Sequence, residues 1–246
     1  IIGIVFILPL IFFTIKKYIN FKDLIQLYLI FLLISFQGFI GWYMVESGLT
    51  ENIDVSHYRL SLHLTIAFII FSLLFWNYLK FKYTNTQIVE KKLPFKIEFI
   101  FIFFLIIQIS LGALVSGLDA GQIYQTWPLM GQEYYPNDSE YSDLFKFSLF
   151  ESPSLLQFLH RNIAYFIFIL FSIIATIVFR DNQLYIFRGN ILLIFLFLLI
   201  QIFLGVFTVL SGAHIVIASL HQIGSIFLIS SVVFLIFKNS TVNLQL

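Results

Sequence analysis

Residues 188–211 read RGNILLIFLFLLIQIFLGVFTVLS, and no charged side chain follows Arg188 in this stretch. About 20 consecutive apolar residues are enough for an α-helix to cross the hydrocarbon core of a membrane. No water is present in that core to satisfy backbone N–H and C=O groups, whereas a helix satisfies them internally. The stretch therefore predicts a membrane-spanning helix.

Similar stretches recur along all 246 residues. The chain is 60% hydrophobic and 11% charged, whereas a soluble domain carries about 25% charged residues. We predict seven apolar segments: 1–15, 24–46, 58–79, 97–117, 154–179, 188–211 and 214–237. The fold class is therefore all-α, a polytopic membrane protein. Because the chain has no Cys, disulfides, thiolate metal sites and Cys-ligated iron–sulfur clusters are excluded.

Charged residues in the connections predict the orientation. Basic residues lie in alternate connections and after the last helix: Lys16, Lys17, Lys22, Lys80, Lys82, Lys91, Lys92, Arg180, Arg188 and Lys238. The second and fourth connections are acidic, with Glu51, Asp54, Asp119, Glu133, Asp138, Glu140, Asp143 and Glu151. Basic loops stay on the cytoplasmic side. His63, His160 and His221 then all fall early in helices that enter from outside.

A weak internal repeat joins two of these regions. Residues 37–48 (QGFIGWYMVESG) and 201–212 (QIFLGVFTVLSG) coincide at five positions: Gln37 with Gln201, Gly41 with Gly205, Val45 with Val209, Ser47 with Ser211 and Gly48 with Gly212. In each copy the next helix carries a histidine. We therefore predict two parallel, pseudo-symmetric four-helix bundles related by an axis along the membrane normal. Residues 1–95 form an incomplete N-terminal half-bundle, and residues 96–246 form the C-terminal one.

The start of the chain is expected to be truncated. It begins with Ile rather than Met, and its first apolar segment is short. His160 lies 41 positions before Gln201, and the same spacing before Gln37 falls just upstream of residue 1. The repeat thus predicts a fourth histidine there, with the first helix and part of the second missing from this sequence.

The histidines suggest a haem site. A histidine in a membrane helix is costly without a partner and marks a functional site by default. Two histidines per four-helix half fit haem ligation by two imidazoles, and we expect His160 and His221 on neighbouring helices. Arg59 and Arg161 are candidate propionate contacts, since arginine pairs well with carboxylates. Alternatively, each histidine could bond a neighbouring helix, and both arginines could be interfacial anchors.

Other residues have plainer interpretations. His57 and His214 lie in outer connections, where we expect solvated or capping roles. Several glycines allow helices, or a porphyrin, to approach closely: Gly41, Gly112, Gly117, Gly205 and Gly212. Helix packing alone would explain them. The outer loop 118–153 is long enough to be functional, and its Asp119 could cap backbone amides or handle protons, capping being the interpretation we favour.

Five further segments are informative: QGFIGWYMVESGL (37–49), SHYRLSLHL (56–64), GALVSGLDAGQIYQTWPLMG (112–131), LQFLHRN (156–162) and IASLHQIGS (217–225). Together they resemble the haem A synthase family, in its cysteine-free type of alphaproteobacteria and mitochondria. The resemblance covers nearly the whole chain and implies eight transmembrane helices in two halves. The family's glutamate-and-histidine motif would lie upstream of residue 1. The expected catalytic glutamate therefore lies upstream of residue 1, we assign no catalytic residue from this sequence, and we expect this stretch alone to be inactive.

The resemblance implies an oxidoreductase. Such enzymes hydroxylate the C8 methyl of haem O twice, and loss of water gives the formyl group of haem A for cytochrome oxidase. His160 and His221 would be the axial ligands of a haem b cofactor in the C-terminal half. His63 would be the surviving ligand of the substrate haem iron in the N-terminal half. Implied partners are haem O, membrane lipid, the haem O-producing farnesyltransferase, an electron acceptor and a second copy of the chain, but no nucleic acid. The implied location is the bacterial inner membrane, or the mitochondrial inner membrane in a eukaryote.

The positions of the histidines and the apolar segments argue against two other functional classes. A dihaem b-type electron carrier stacks its haems across the membrane and needs ligands at both depths, whereas these histidines share one depth. A small transporter built from parallel repeats favours broken helices with polar residues near the midplane, whereas these segments are apolar at their centres. A formyl group on the extracted haem would distinguish the synthase from both.

Overall fold

The computed structural model describes residues 1–48, 55–83 and 91–241. Seven α-helices lie in these ranges: α1 (Ile2–Ile15), α2 (Phe21–Gly48), α3 (His57–Lys82), α4 (Ile97–Gly117), α5 (Pro153–Arg180), α6 (Arg188–Leu210) and α7 (Ile215–Thr241). All seven predicted apolar segments are therefore helical. Helices α2 to α7 are long and apolar enough to span a membrane, and α1 is shorter. The chain is an all-α polytopic membrane protein.

Local sequence explains where α5, which carries His160, begins. Ser152 is the N-cap, and its hydroxyl accepts a hydrogen bond from the amide of Leu155 at 3.3 Å. Pro153 occupies the first helical position, where its fixed φ suits the helix and its missing N–H is not needed. These two residues set the register of α5 and hence the position of His160, eighth in the helix.

Helices α4 to α7 form a four-helix bundle. Helix α4 packs on α5, α5 on α6, α6 on α7, and α7 on α4, so that α5 and α7 lie diagonally opposite. Its core contains side chains that are at most 1% exposed: Phe101, Ile174, Val178, Leu184, Phe187, Ile191, Ile194, Val232 and Leu235. Helix α3 packs on α4 and α7, α2 on α3, and α1 on α2. In lipid such helices associate mainly through close packing.

Charged contacts gather at one end of the molecule. Lys80 at the end of α3 pairs with Asp23 at the start of α2. Lys91 Nζ lies 2.6 Å from a carboxylate oxygen of Asp181, just after α5, and this hydrogen bond holds the pKa of Asp181 below its ordinary value. Lys238 near the end of α7 donates to the carbonyl oxygen of Ile186 at 2.7 Å. This is the end with the basic connections, which we predict to be cytoplasmic.

The opposite end carries the acidic connections. Tyr58 at the start of α3 donates to Oε1 of Glu151, just before α5, at 2.6 Å. A Cβ built on Gly121, just after α4, would lie 3.2 Å from Cβ of Ala213, just before α7. The starts of α3, α5 and α7 are therefore at one end. Glu51 and Asp54, which the orientation argument also used, lie outside the described residues.

The outer loop is ordered by short 3₁₀ helices at Ala120–Gln122, Tyr141–Phe145 and Phe147–Glu151. Two hydrogen bonds fix the middle of the loop to α5: Tyr134 donates to Oδ1 of Asn162 at 2.5 Å, and Ser154 donates to Oδ2 of Asp138 at 2.5 Å. Asp119 stands at the N-cap of the first 3₁₀ helix with φ +50°. Its exposed side chain makes no capping hydrogen bond, so the favoured capping interpretation is wrong.

Candidate functional site

Each of the three membrane histidines sits at the same place on its helix. His63 is the seventh residue of α3, His160 the eighth of α5 and His221 the seventh of α7. A helix rises about 1.5 Å per residue, and the three helices start at the same end. The histidines therefore lie about two turns inside the acidic end, at similar depth.

A glutamine on the preceding helix reaches the backbone of each histidine. Nε2 of Gln37 donates to the carbonyl oxygen of His63 at 2.8 Å, and Nε2 of Gln108 donates to that of His160 at 3.0 Å. The amide of Gln201, oriented with its nitrogen towards α7, donates to the carbonyl oxygen of His221 at 3.0 Å. The same contact therefore occurs three times, between α2 and α3, α4 and α5, and α6 and α7.

A glycine four residues after each glutamine faces the imidazole ring. A Cβ built on Gly41 would lie 2.9 Å from Cε1 of His63. Cβ atoms built on Gly112 and Gly205 would each lie 3.1 Å from Cε1 of His160 and His221. Nine in ten real Cβ contacts are longer, so the ring occupies the space that any side chain would need. These three glycines contact the rings of the membrane histidines, whereas Gly117 packs against Cα and Cβ of His57.

The middle copy was missed by the sequence analysis. Gln108 and Gly112 have the same spacing as Gln37 and Gly41. However, the VSG that ends this copy (115–117) lies closer to its glutamine than the VLSG that ends the last copy (209–212) lies to Gln201. A comparison in fixed register therefore did not find it. The recurring signal is a glutamine, three residues and a glycine, followed by a helix with a histidine early in its sequence.

His160 and His221 lie near each other inside the α4–α7 bundle. Their imidazoles are close enough for an electrostatic interaction, although α5 and α7 are diagonal rather than neighbouring helices. The expected adjacency of these helices is therefore wrong. A diagonal arrangement leaves α4 and α6 as walls on either side of the two rings. A ligand bound inside this bundle would therefore lie between the two histidines instead of beside them.

Ring nitrogens of the site lack partners. Nδ1 of His63 and Nδ1 of His160 are buried and make no hydrogen bond. Buried polar atoms are normally satisfied, so these rings fit a site that a further group completes. Within residues 1–48, 55–83 and 91–241 no three His, Asp or Glu side chains converge to hold a metal ion. Haem iron needs only one or two protein ligands, and single histidines on glycine walls fit that group.

The two arginines differ in their surroundings. Arg161 is 9% exposed and donates from Nη1 to the carbonyl oxygen of Leu129 at 3.2 Å and from Nη2 to that of Tyr124 at 3.1 Å. It thereby anchors the outer loop. The guanidinium carbon of Arg59 lies 4.6 Å from the ring centroid of Tyr43, a cation–π contact. Contact of either arginine with propionates stays a prediction.

The remaining histidines differ from each other. His214 is exposed, as predicted. The side chain of His57 is only 12% exposed, and its Nε2 lies 3.6 Å from Oε2 of Glu151. The ring centroids of His57 and Tyr58 are 4.1 Å apart. The expectation of a solvated His57 is wrong, because Gly117 at the end of α4 lets that helix close over it.

Comparison with known proteins agrees with this geometry. Residues 1–233 match the COX15-CtaA family, described as cytochrome oxidase assembly proteins. A protein of Pelagibacter ubique named heme A synthase is 44% identical over 97% of this chain and 70% of its own length. Heme A synthases of Rickettsia prowazekii and Flavobacterium johnsoniae are each 38% identical, over 96% and 98% of this chain and 71% of their own lengths. The chain therefore belongs to the COX15-CtaA family of cytochrome oxidase assembly proteins.

Proposed function

We propose that this protein is a haem A synthase, an oxidoreductase that converts the C8 methyl group of haem O to a formyl group. His160 and His221 hold a haem b cofactor, and His63 is a ligand of the substrate haem. The observation that carries the proposal is the pair of neighbouring histidines inside the α4–α7 bundle, in a chain whose relatives are named heme A synthases. Haem b, when bound, supplies one-electron transfer.

The residues of the chain bind and orient these groups. His160 and His221 approach from diagonal helices, so each can offer a ring nitrogen to one side of a flat macrocycle. His63 lies in the other half, on a helix that contacts the C-terminal bundle through α4 and α7. We assign the substrate to residues 1–95 and the cofactor to residues 96–246. Haems held by these histidines would be in neighbouring halves of the protein, near the same end.

The outer loop closes the site against water. Gln157 and Arg161 on α5 both donate to the carbonyl oxygen of Tyr124, at 3.1 Å each. The loop is thereby held over the end of the bundle at which His160 lies. Exclusion of water strengthens electrostatic interactions within a site. We expect Arg59, at the same end, to contact a propionate of the substrate haem.

The location and partners follow from the same proposal. The relatives named above are bacterial, which supports the bacterial cell membrane as the location. A haem O-producing farnesyltransferase would supply the substrate, and an electron acceptor would take up the electrons removed from the methyl group. The dihaem electron carrier is disfavoured, because the described histidines lie near one end of the helices.

The test is the pigment that the protein makes. The protein is expressed from its complete gene in a bacterial host that makes haem O but lacks haem A synthase. Haems are then extracted from the membranes, separated and weighed by mass spectrometry. Haem A, identified by its formyl group, is expected together with haem b in the purified protein. Purified protein that holds haem b while the cells contain only haem O would support the electron carrier instead.

A further inference from the structure

The same glutamine and glycine stand opposite each candidate haem ligand, in three separate helix pairs. We propose that Gln37, Gln108 and Gln201, each with the glycine four residues later, are positioning residues that fix the imidazole plane of His63, His160 and His221. This inference rests on the proposed function. It adds that the preceding helix sets the orientation of each axial ligand. The glutamine does so through one hydrogen bond, and the glycine does so because it has no side chain.

The glutamine fixes the backbone of the ligand. A helical carbonyl oxygen already accepts the amide four residues later and has a second lone pair available. The residues at those positions are small, namely Ala67, Ala164 and Ser225, and they leave room for an incoming side chain. At the third copy the Gln201 amide oxygen also accepts from the backbone N–H of Ser225 at 3.2 Å. The glutamine therefore ties the preceding helix to the turn that bears the ring.

These glutamines are not ordinary packing residues. Oε1 of Gln37 and Oε1 of Gln108 are buried without a partner. A buried amide that is only half satisfied is unfavourable. An apolar side chain of similar size would fill the same space without that penalty. The recurrence of glutamine where leucine would pack better points to the bond with the histidine carbonyl.

The glycine fixes the ring itself. Its backbone lies against Cε1, the carbon between the two ring nitrogens, so the imidazole edge rests on the preceding helix. A methyl group at Gly112 or Gly205 would lie 3.1 Å from that carbon, and the ring would have to rotate or the helices separate. Rotation changes the ligand plane at the iron. Groups around a ligand tune its basicity and hence the potential of the metal.

Close helix packing alone does not place these glycines. Gly38 lies on α2, one turn before Gly41, and Gly189 lies at the start of α6 before Gly205. A Cβ built on either of them would meet nothing within 4 Å. The glycines that contact a candidate ligand ring are the ones at the fourth position after the glutamines. Gly38 therefore provides a matched control on a helix of the same kind.

The test compares single variants of the protein expressed from its complete gene. The haem b site is probed with Gly112→Ala, Gly205→Ala and Gln108→Leu, and the substrate site with Gly41→Ala. Gly38→Ala and Gln222→Leu, an exposed residue next to His221, are the controls. Measured quantities are haem b content, the EPR g values of the low-spin haem, the haem midpoint potential and the thermal unfolding of the purified protein.

We expect haem b affinity to fall about tenfold in the three haem b-site variants, with shifted g values and potential. The haem b signals of Gly41→Ala and of both controls should match the parent. Parental g values and potential in folded Gly112→Ala and Gln108→Leu would overturn the positioning role and leave the proposed function standing. If these variants lose haem only together with the fold, helix packing explains the residues and the inference is wrong. A parent that contains no haem b would instead contradict the proposed function.

Discussion

Gln108 on α4 donates a hydrogen bond from Nε2 to the backbone carbonyl oxygen of His160 on α5, over 3.0 Å. The same nitrogen lies 3.2 Å from Nε2 of the His160 ring. One side chain thus contacts both the backbone and the imidazole of a single residue. Glutamine Nε2 can only donate, so the ring nitrogen that faces it accepts. Iron would bind through the same kind of lone pair, so the contact with the ring would give way to a haem at that nitrogen, while the bond to the backbone carbonyl can remain.

Removal of a ligand should separate the two haem sites. His160→Ala or His221→Ala removes one axial ligand of haem b, and we expect the haem b content of the purified protein to fall at least about tenfold. His63→Ala should leave haem b in place and lower haem A production. The reason is that His63 lies on α3, outside the α4–α7 bundle that holds the other two rings.

Haem b content is measured by the pyridine haemochrome spectrum, and haem A by mass spectrometry of extracted pigment. His214→Ala, which changes an exposed histidine at the same end, is the control. Loss of haem b from the His63 variant with retention in the His160 variant would reverse the assignment of cofactor and substrate to the two halves.

The helices and the depth of the histidines were predictable from the sequence. Runs of apolar residues about 20 long have few alternatives to a membrane helix. Alternation of basic and acidic connections then places His63, His160 and His221 early in helices of the same direction. Both predictions depend on distance along the chain and on composition, and neither depends on how side chains interlock.

Contacts between distant side chains were not predictable in the same way. The roles of Arg161 and His57 depend on the path of the outer loop, which brings Leu129 and Glu151 to the start of α5. The diagonal placement of α5 and α7 depends on which helix faces fit together, and hydropathy does not encode it. The Gln108 copy could have been found from the sequence. The pattern to search for is a glutamine followed four residues later by a glycine, in the helix before each helix that carries a membrane histidine.

A hydrogen bond between α3 and the segment just before α5 should contribute to stability. Tyr58 on α3 donates to Glu151 at 2.6 Å, so Tyr58→Phe removes one bond and keeps the ring. We expect the free energy of unfolding to fall only slightly, because the bond is exposed and water can replace it. Thermal unfolding in detergent measures the change, with Tyr185→Phe as a control because Tyr185 is 68% exposed. Equal midpoints for the two variants would exclude a contribution from this bond.

The outer loop should loosen in acid. Asp143 accepts from Lys146 Nζ at 2.8 Å and from the amide of Glu140 at 2.9 Å. The Lys146 contact, followed by the Glu140 bond, holds the pKa of Asp143 below its ordinary value of 3.8. A depressed pKa gives stability that is present above pH 3.8 and is lost as the pH falls through the lower, folded value.

Acid-stable protease digestion, followed by mass spectrometry, measures this opening. In the parent, cleavage within residues 136–150 should be slow at pH 5 and increase as the pH falls below about 4. Asp143→Asn should be cleaved at a rate that changes less over that range. Asp119→Asn, which alters an exposed carboxylate without a capping bond, should retain the parental pH dependence. A parental profile in Asp143→Asn would show that other groups control the loop.

Arg161 should hold the loop rather than act only through its charge. Arg161→Met keeps much of the apolar stem but leaves the carbonyl oxygens of Leu129 and Tyr124 without this donor. Unsatisfied buried groups cost about 1–3 kcal/mol each, and Gln157 still reaches Tyr124. We therefore expect about 1–3 kcal/mol of lost stability, concentrated in the loop. Hydrogen exchange should become faster at residues 122–131 and stay unchanged in α6.

Arg180→Met, at an exposed arginine near the other end of α5, should leave the loop protected. Faster exchange throughout the α4–α7 bundle would mean that Arg161 supports the whole domain, and the anchoring role would then be wrong.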